Sequence, residues 1–362
     1  MVATPSRLTQ TEAPSCRNLH YTWHIDDIHV GGHFQAVVEL AFHDHRESNM
    51  PSSKPAVLIL NPVSEAHRNQ IAEHFEVHFA PTPGQLEQTI AAVGDRIEIA
   101  MSIGSIGITA TQIDALPNLK LVHALGVGYE KIDVTHAKQR GIATSNGAGT
   151  NDTCVADHTM ALILAVIRNV PQLDQLTRKG FWRTDIPWPL HVSGKKLGIL
   201  GLGAIGEKIA KRAQAFDLSI GYHNRKPRAD AAHTYFPTLD ALAEWADILV
   251  VATPGGAATQ HLINADILKQ LGANGYLINI ARGSVVDTAA LEQALRHDII
   301  KGAALDVYED EPHVPPSLFD LTNLVLTPHV AGWSPEAIQL TIDKFLENAR
   351  RLYAGEPLLT PI

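Results

Sequence analysis

The stretch "KLGILGLGAIGEKIAKRAQAF", residues 196–216, joins a short apolar run to a helix-forming run through Gly201-x-Gly203-x-x-Gly206. Its chemistry is that of the backbone. Gly201 permits a tight turn, Gly203 lets a pyrophosphate approach the main chain, and Gly206 lets helix and strand pack closely. The helix start at Ala204, Ile205 and Gly206 then offers free N–H groups and partial positive charge to phosphates. Glycine-rich turns are common, so the motif is diagnostic only between a strand and a helix, with a second strand at the right distance. "LSIGY" (218–222) supplies that strand.

Further strands follow at "ILVVA" (248–252), "YLINI" (276–280), "AALDV" (303–307) and "LVLTPH" (324–329). With 196–200 they make about six, the count of a doubly wound dinucleotide-binding sheet. Upstream, "AVLIL" (56–60), "FEVHF" (75–79), "IEIAMSI" (97–103), "LKLVHAL" (119–125) and "IATSN" (142–146) alternate with helical spacing at 64–75 and 84–93. That pattern describes a second parallel sheet with crossover helices. Between the two series, "NDTCVADHTMALILAVIRNV" (151–170) reads as one long helix, capped by Asp152 and ended by Pro171, with Cys154 as a small core residue. The last segment, 334–355, reads as an amphipathic helix with a Ser334 cap and a Gly355 stop.

The end of the second strand reports on the cofactor. A site for NAD places a carboxylate about 20 residues beyond the loop, on the ribose 2′-hydroxyl. Here "YHNRKPR" (222–228) offers Asn224, Arg225, Lys226 and Arg228, and no carboxylate until Asp230. A carboxylate would repel a 2′-phosphate, whereas arginine pairs with it through a planar fork. NADP(H) is therefore the expected cofactor, with NAD(H) possible. Asn224 and Arg225 are the first candidates for the phosphate, with Lys226 and Arg228 as more exposed contributors.

Composition narrows the class. The chain has 362 residues, 45% of them hydrophobic, a formal net charge of -9 and two cysteines, Cys16 and Cys154. The negative balance argues against nucleic acid or an anionic membrane as partner. Two cysteines exclude a disulfide framework and a Cys-rich metal site, and they fit a reducing compartment. No apolar run approaches the roughly 18 residues needed to span a bilayer. The N-terminus lacks the pattern of a secretory signal, and Glu12, Asp26 and Asp27 spoil that of a transit peptide. The cytoplasm is the expected compartment. Residues 1–54 read as a poorly ordered extension; Met50 is a candidate natural start, and His20, His24, His29 and His33 read as polar tail rather than metal site.

Three later motifs place polar residues where strands end: "NIARGSVVD" (279–287), "LDVYEDEP" (305–312) and "LTPHVAGW" (326–333). Ligands of an open parallel sheet bind beyond those ends. One arginine, one glutamate and one histidine on three such loops suit the reduction of a 2-oxo acid. Arginine holds the carboxylate or polarises the keto oxygen, histidine donates the proton, and glutamate hydrogen-bonds the imidazole and keeps it protonated.

Together with "GVGYEKID" (126–133) and "GLGAIG" (201–206), these motifs resemble the D-isomer-specific 2-hydroxyacid dehydrogenase family in order and spacing, over about 55–360. The resemblance implies two doubly wound α/β domains with the active site in the cleft between them. A flavodoxin-like substrate domain would comprise 55–150 and 331–362, and a Rossmann cofactor domain 151–330. It implies Arg282 as the substrate-orienting arginine, Glu311 rather than Glu309 as the carboxylate paired to histidine, and His329 as the acid/base. Val127 and Gly128 match the loop whose N–H groups bind the substrate carboxylate. Ile280 and Asp306 match positions lining the nicotinamide, and Thr253 and Pro254 the loop beside the adenosine. A homodimer and a small 2-oxo or 2-hydroxy acid partner are likewise implied.

Within the family, "NRKPR" (224–228) resembles the NADPH-dependent glyoxylate/hydroxypyruvate reductases, with 2-ketogluconate and hydroxyphenylpyruvate reductases as alternatives. Formate dehydrogenases place glutamine where Glu311 stands, and the 33 residues after His329 leave no room for a regulatory domain of the phosphoglycerate dehydrogenase kind. A nucleotide-sensing corepressor is the alternative from another class. Trp333 reads as packing, and Trp182 and Trp188 as part of a connecting arm that contributes to a dimer contact.

Overall fold

The computed structural model describes residues 54–362. The expectations for the N-terminal extension, its histidines, Cys16 and Met50 fall outside the described residues. The first series runs β1 (Ala56–Ile59), α1 (Glu65–Ala72), β2 (Glu76–Phe79), α2 (Pro83–Val93), β3 (Ile97–Ser102), α3 (Ala110–Asp114), β4 (Leu121–Ala124), α4 (Val134–Gln139) and β5 (Ala143–Asn146). Two helices follow, α5 (Asp152–Ile167) and α6 (Val170–Arg178). The second series is β6 (Lys196–Leu200), α7 (Ala204–Gln214), β7 (Ser219–His223), β8 (Thr234–Tyr235), α8 (Leu239–Trp245), β9 (Ile248–Val251), α9 (Ala265–Leu271), β10 (Tyr276–Asn279), α10 (Thr288–Arg296), β11 (Gly302–Leu305) and β12 (Leu324–Leu326), closed by α11 (Pro335–Ala354).

Both sheets are parallel throughout. The first has order β2-β1-β3-β4-β5, the second β12-β11-β10-β9-β6-β7-β8. Each order reverses direction once, at β1/β3 and at β6/β9, which is the doubly wound arrangement. The seventh strand is β8, two residues at the sheet edge, too short for any pattern in the sequence to announce. Central strands such as β1, β9 and β10 are buried along their whole length, because helices cover both faces.

The long helix expected over 151–170 is two helices, bent by 58° at a break after Ile167. Asn169 takes a left-handed conformation (φ 53°), and Pro171 lies in the first turn of α6 instead of ending α5. A proline costs nothing there, because the first-turn N–H has no helical partner. Asn151, not Asp152, is the N-cap residue of α5, and its side chain makes no capping bond. Asp152 is the first helical residue and is buried, and burial raises its carboxyl against the opposing charges of Lys208 and Lys344. Cys154 is only half-buried. Ser334 does cap α11, accepting from the Ala337 N–H at 3.1 Å, and Gly355 ends it at φ 68°. No single helix among the described residues is long and apolar enough to cross a membrane.

Helix α5 packs on α7 and on β10, β11 and β12. Helix α11, from the far end of the chain, packs instead on α1 and β4. Its Ile342, Phe345 and Ala349 complete the core on one face of the first sheet, with Val57, Ile59 and Leu121. His123 of β4 is sealed beneath it, its ring 5.4 Å from that of Phe345 and its Nδ1 2.7 Å from Ser145 Oγ. Nε2 has no partner among the described residues. Burial, aided by the charge of Lys344, pushes this imidazole down to about 3.

His123 therefore binds its proton in the unfolded chain at pH values where the folded chain excludes it. Between the ordinary histidine range near 6.5 and about 3 the unfolded state holds more protons, so stability falls as pH falls. The slope from one proton is at most about 1.4 kcal/mol per pH unit. Tm measured from pH 7 to 4 should decline less steeply in His123→Gln than in the wild type.

Candidate active site

The glycine loop leaves β6 at Gly201, whose φ of 100° favours glycine. A Cβ there would lie 2.8 Å from the carbonyl carbon of Ala252, and one on Gly206 would lie 2.6 Å from the Gly201 oxygen. A Cβ on Gly203, by contrast, would meet nothing within 4 Å. Two glycines thus serve packing, and the third keeps open the space above the loop. Helix α7 begins there with Gly203 as N-cap residue and no side-chain cap. Its first helical bond runs from the Glu207 N–H to the Gly203 oxygen at 2.9 Å, which leaves the N–H groups of Ala204, Ile205 and Gly206 facing that space. A cradle of free N–H groups with no side chain over it fits a dinucleotide pyrophosphate. Thr253 and Pro254 follow β9, with the Thr253 nitrogen 2.8 Å from a Cβ placed on Gly201.

At the end of β7 the four polar residues divide their work. Asn224 Oδ1 accepts from the Leu202 N–H at 2.7 Å, so this side chain braces the glycine loop. Arg228, read from the sequence as one of the more exposed cations, is half-buried and committed. It reaches Glu207 at 3.0 Å, Asp230 at 2.5 Å and the Leu202 oxygen at 3.0 Å. Those partners sit on α7 and on the turn itself, so Arg228 holds the turn to the loop. Arg225 and Lys226 are exposed, and among the described residues neither side chain is in an ion pair or hydrogen bond. They are the cations of this turn without a partner among the described residues.

The polar motifs converge at the ends of β10, β11 and β12. His329 is in a left-handed conformation (φ 54°) and about two-fifths exposed, with Nδ1 2.7 Å from Glu311 Oε2. The other Glu311 oxygen accepts from the Tyr308 N–H at 3.0 Å. Burial works against the Glu311 carboxylate, but hydrogen bonds from His329 and Tyr308 and the charges of His329 and Arg282 outweigh it and hold the carboxyl low. Glu309 points elsewhere, accepting from the Thr288 N–H at 2.9 Å and pairing with His261 at 2.8 Å. The histidine leaves Nε2 without a partner among the described residues, turned to solvent while Nδ1 is fixed.

Asp306 is committed to the main chain around His329. Its side chain is buried, and its oxygens accept from Thr327 Oγ1 at 2.6 Å, the Val330 N–H at 3.0 Å and the Ala331 N–H at 2.9 Å. His158 of α5 lies behind it, with Nε2 3.1 Å from Thr327 Oγ1 and 3.5 Å from Asp306 Oδ1. Burial again opposes ionisation, and this ring of donors overcomes it, so the Asp306 carboxyl lies below its ordinary range. The carboxylate grips the segment on either side of His329, and Ile280, at the end of β10, is buried in the same core as Ala331. The sequence gives His158 no motif of its own; its place nearly two turns into an apolar helix hides it.

Arg282, after β10, crosses to the first sheet. Its Nε donates to Glu130 Oε1 at 2.8 Å and its Nη1 to the Ala281 oxygen at 2.6 Å. Glu130 belongs to the loop after β4, where a Cβ on Gly128 would lie 1.9 Å from Arg282 Nη2. The N–H groups of Val127 and Gly128 donate to nothing among the described residues, while Asn146 Nδ2 secures the Val127 oxygen at 2.8 Å. Trp333, expected to pack, is 74% exposed four residues beyond His329. The loop turns it outward because Gly332, not Trp333, is the residue pressed against Asn151. Trp182 and Trp188 lie between α6 and β6 and are exposed too. No group of three or more His, Cys, Asp or Glu able to hold a metal occurs among the described residues.

A glycine cradle at a switch point, with a carboxylate-oriented histidine and an arginine at strand ends of the same sheet, defines a dinucleotide-dependent oxidoreductase. The model for "D-isomer specific 2-hydroxyacid dehydrogenase, NAD binding domain" matches residues 160–331. The chain is 39% identical over 310 residues to glyoxylate/hydroxypyruvate reductase A of Arabidopsis thaliana, covering 84% of this chain and 98% of that one. It is 37% identical over 307 residues to hydroxyphenylpyruvate reductase of Plectranthus scutellarioides, with coverages of 84% and 98%. Among solved structures, the NADPH-dependent glyoxylate/hydroxypyruvate reductase of Sinorhizobium meliloti, in complex with NADP and malonate, superposes with a TM-score of 0.80 at 37% identity, covering 86% of this chain and 97% of that one. The chain belongs to the D-isomer-specific 2-hydroxyacid dehydrogenase family.

Asp306→Asn keeps the shape but loses the charge and one acceptor from a buried site. It should cost about 1–3 kcal/mol of stability. A thermal melt would read this as a lowered Tm, accompanied by a lower kcat because the His329 segment loosens.

Proposed function

We propose that the enzyme reduces small 2-oxo acids of the glyoxylate or hydroxypyruvate kind to D-2-hydroxy acids, with NADPH as the preferred reductant and NADH as a possible one. The observation that carries this reading is the His329–Glu311 pair, within reach of the Arg282 charge, at the ends of strands whose sheet also carries the open glycine cradle. Residues 55–150 with 331–362 act as the substrate domain in this reading, and 151–330 as the cofactor domain. When bound, the reduced dinucleotide supplies hydride equivalents to the carbonyl carbon. Gly201, Gly203 and Gly206, with the N–H groups of Ala204 and Ile205, hold its pyrophosphate. Thr253 and Pro254 lie beside its adenosine, and Ile280 and Asp306 support its nicotinamide end.

The substrate carboxylate takes the free N–H groups of Val127 and Gly128 and the free edge of Arg282. The keto oxygen lies between Arg282 and His329 Nε2, which delivers the proton as the carbonyl becomes an alkoxide. Glu311 fixes the ring through Nδ1, so Nε2 faces the substrate, and offsets the positive charge that the protonated ring carries. Fixing the donor in advance lowers the cost of reaching the transition state.

His329→Ala should lower kcat by about 100-fold or more, the usual share of a general acid, while the Kd for NADPH stays within about twofold. Assays of NADPH oxidation with glyoxylate, hydroxypyruvate and hydroxyphenylpyruvate test the substrate; turnover of none of them refutes the reading. Trp333 and Tyr129, both exposed beside the site, favour hydroxyphenylpyruvate as the second reading, since an aromatic wall suits an aromatic substrate. The relative from Plectranthus scutellarioides bears that name.

Arg225 and Lys226 read the 2′-phosphate in this proposal, with Asn224 adding the second hydrogen of its amide. The double change Arg225→Ala and Lys226→Ala should raise KM for NADPH at least about tenfold and leave KM for NADH nearly unchanged. Steady-state kinetics with each dinucleotide decide the point.

We place the enzyme in the cytoplasm as a homodimer without nucleic-acid or membrane partners. The acidic balance and cysteine count support the first and last of these. The exposed apolar surface around Phe181, Trp182 and Trp188 supports the dimer.

A further inference from the structure

We propose that Glu130 is a positioning residue for the substrate carboxylate, acting through Arg282; the proposal rests on the reading of Arg282 as the substrate-orienting group. A guanidinium on a flexible stem can present either of its two forked edges to a ligand. Here one choice is removed. Glu130 Oε1 takes Nε at 2.8 Å and the Ala281 carbonyl takes Nη1 at 2.6 Å, so Nη2 alone has no partner among the described residues. That atom lies against Gly128, the loop whose N–H groups are also free.

Three glycines from three loops make room for this ion pair. A Cβ on Gly104 would come within 2.6 Å of Glu130 Oε2, and one on Gly255 within 2.7 Å of Arg282 Cγ. On Gly128 it would collide with both partners, 1.9 Å from Arg282 Nη2 and 2.6 Å from Glu130 Oε2. The pair is about one-third exposed, so its Coulombic attraction alone contributes little to stability. Direction is what it supplies. Glu130 rises from the loop after β4 of the first sheet, whereas Arg282 follows β10 of the second. Holding Nε from a loop of the other sheet sets the guanidinium plane relative to the Val127–Gly128 amides, so that both parts of the carboxylate site are aligned before a ligand arrives.

Glu130→Ala and Glu130→Gln, made in the full-length enzyme, separate this role from a merely structural one. The amide oxygen of glutamine still accepts from the Arg282 Nε–H, whereas alanine releases the arginine. Glu130→Ala should raise KM for glyoxylate about tenfold or more, with Tm and the Kd for NADPH unchanged, because a hydrogen bond to a charged group is lost at the substrate end alone. Glu130→Gln should recover KM to within about threefold of the wild type. An unchanged KM in Glu130→Ala, a glutamine variant as impaired as alanine, or an equal weakening of NADPH binding would each overturn the proposal. If the wild type turns over no 2-oxo acid, the functional reading fails on its own. The positioning role is then judged by the Kd for oxamate, a non-reducible 2-oxo acid analogue, with NADPH present. The Kd should rise about tenfold in Glu130→Ala and recover in Glu130→Gln, and an equal Kd in all three proteins would refute it.

Discussion

Parallel pairing is the constraint from which the rest follows. A parallel strand cannot return through a tight turn, so each connection must cross a face of the sheet, usually as a helix. Both faces of the central strands are thereby buried, and polar groups are pushed to the strand ends. In this chain the carboxyl ends of β6, β7, β9, β10, β11 and β12 carry the glycine loop, the basic turn, Thr253, Arg282, the Asp306–Glu311 segment and His329. Residues scattered over more than a hundred positions meet because the topology gives them one edge to share.

Three of the four carboxylates between 306 and 311 show how burial and partners assign different tasks to like groups. Asp306 is buried and takes three donors, all on the segment 327–331, with His158 behind it, so its charge is spent on holding that segment. Glu309 faces outward to His261 and the start of α10. Glu311 alone reaches His329. Spacing of two and three residues along an irregular loop is enough to send them in separate directions, and none could substitute for another without moving the main chain.

The sequence made the sheet-and-helix alternation, the glycine loop and the Glu311–His329 pairing legible, because each depends on local pattern or on a motif with fixed spacing. It hid what depends on contacts distant along the chain. The break between α5 and α6 rests on one left-handed asparagine, and Pro171 reads equally well as a stop or as a start. His158 carries no local signature, and Glu130, though inside the motif at 126–133, gives no sign of its partner, since the residues they meet lie at 306, 327 and 282. Trp333 was misread because apolar character says nothing of direction, and the loop at Gly332 turns it outward. Arg228 was misread because a run of cations looks uniform until carboxylates at 207 and 230 claim one of them.

The bond between Asn224 and Leu202 makes the glycine loop and the basic turn one mechanical unit. A side chain proposed to read the ribose also supports the loop proposed to carry the pyrophosphate. Anyone redesigning this enzyme for the other dinucleotide would therefore find position 224 encumbered, since a new residue there must both read a different ribose and keep the glycine loop in shape. Positions 225 and 226 carry no such double duty, and under the proposed function they are the adjustable part of the cofactor site.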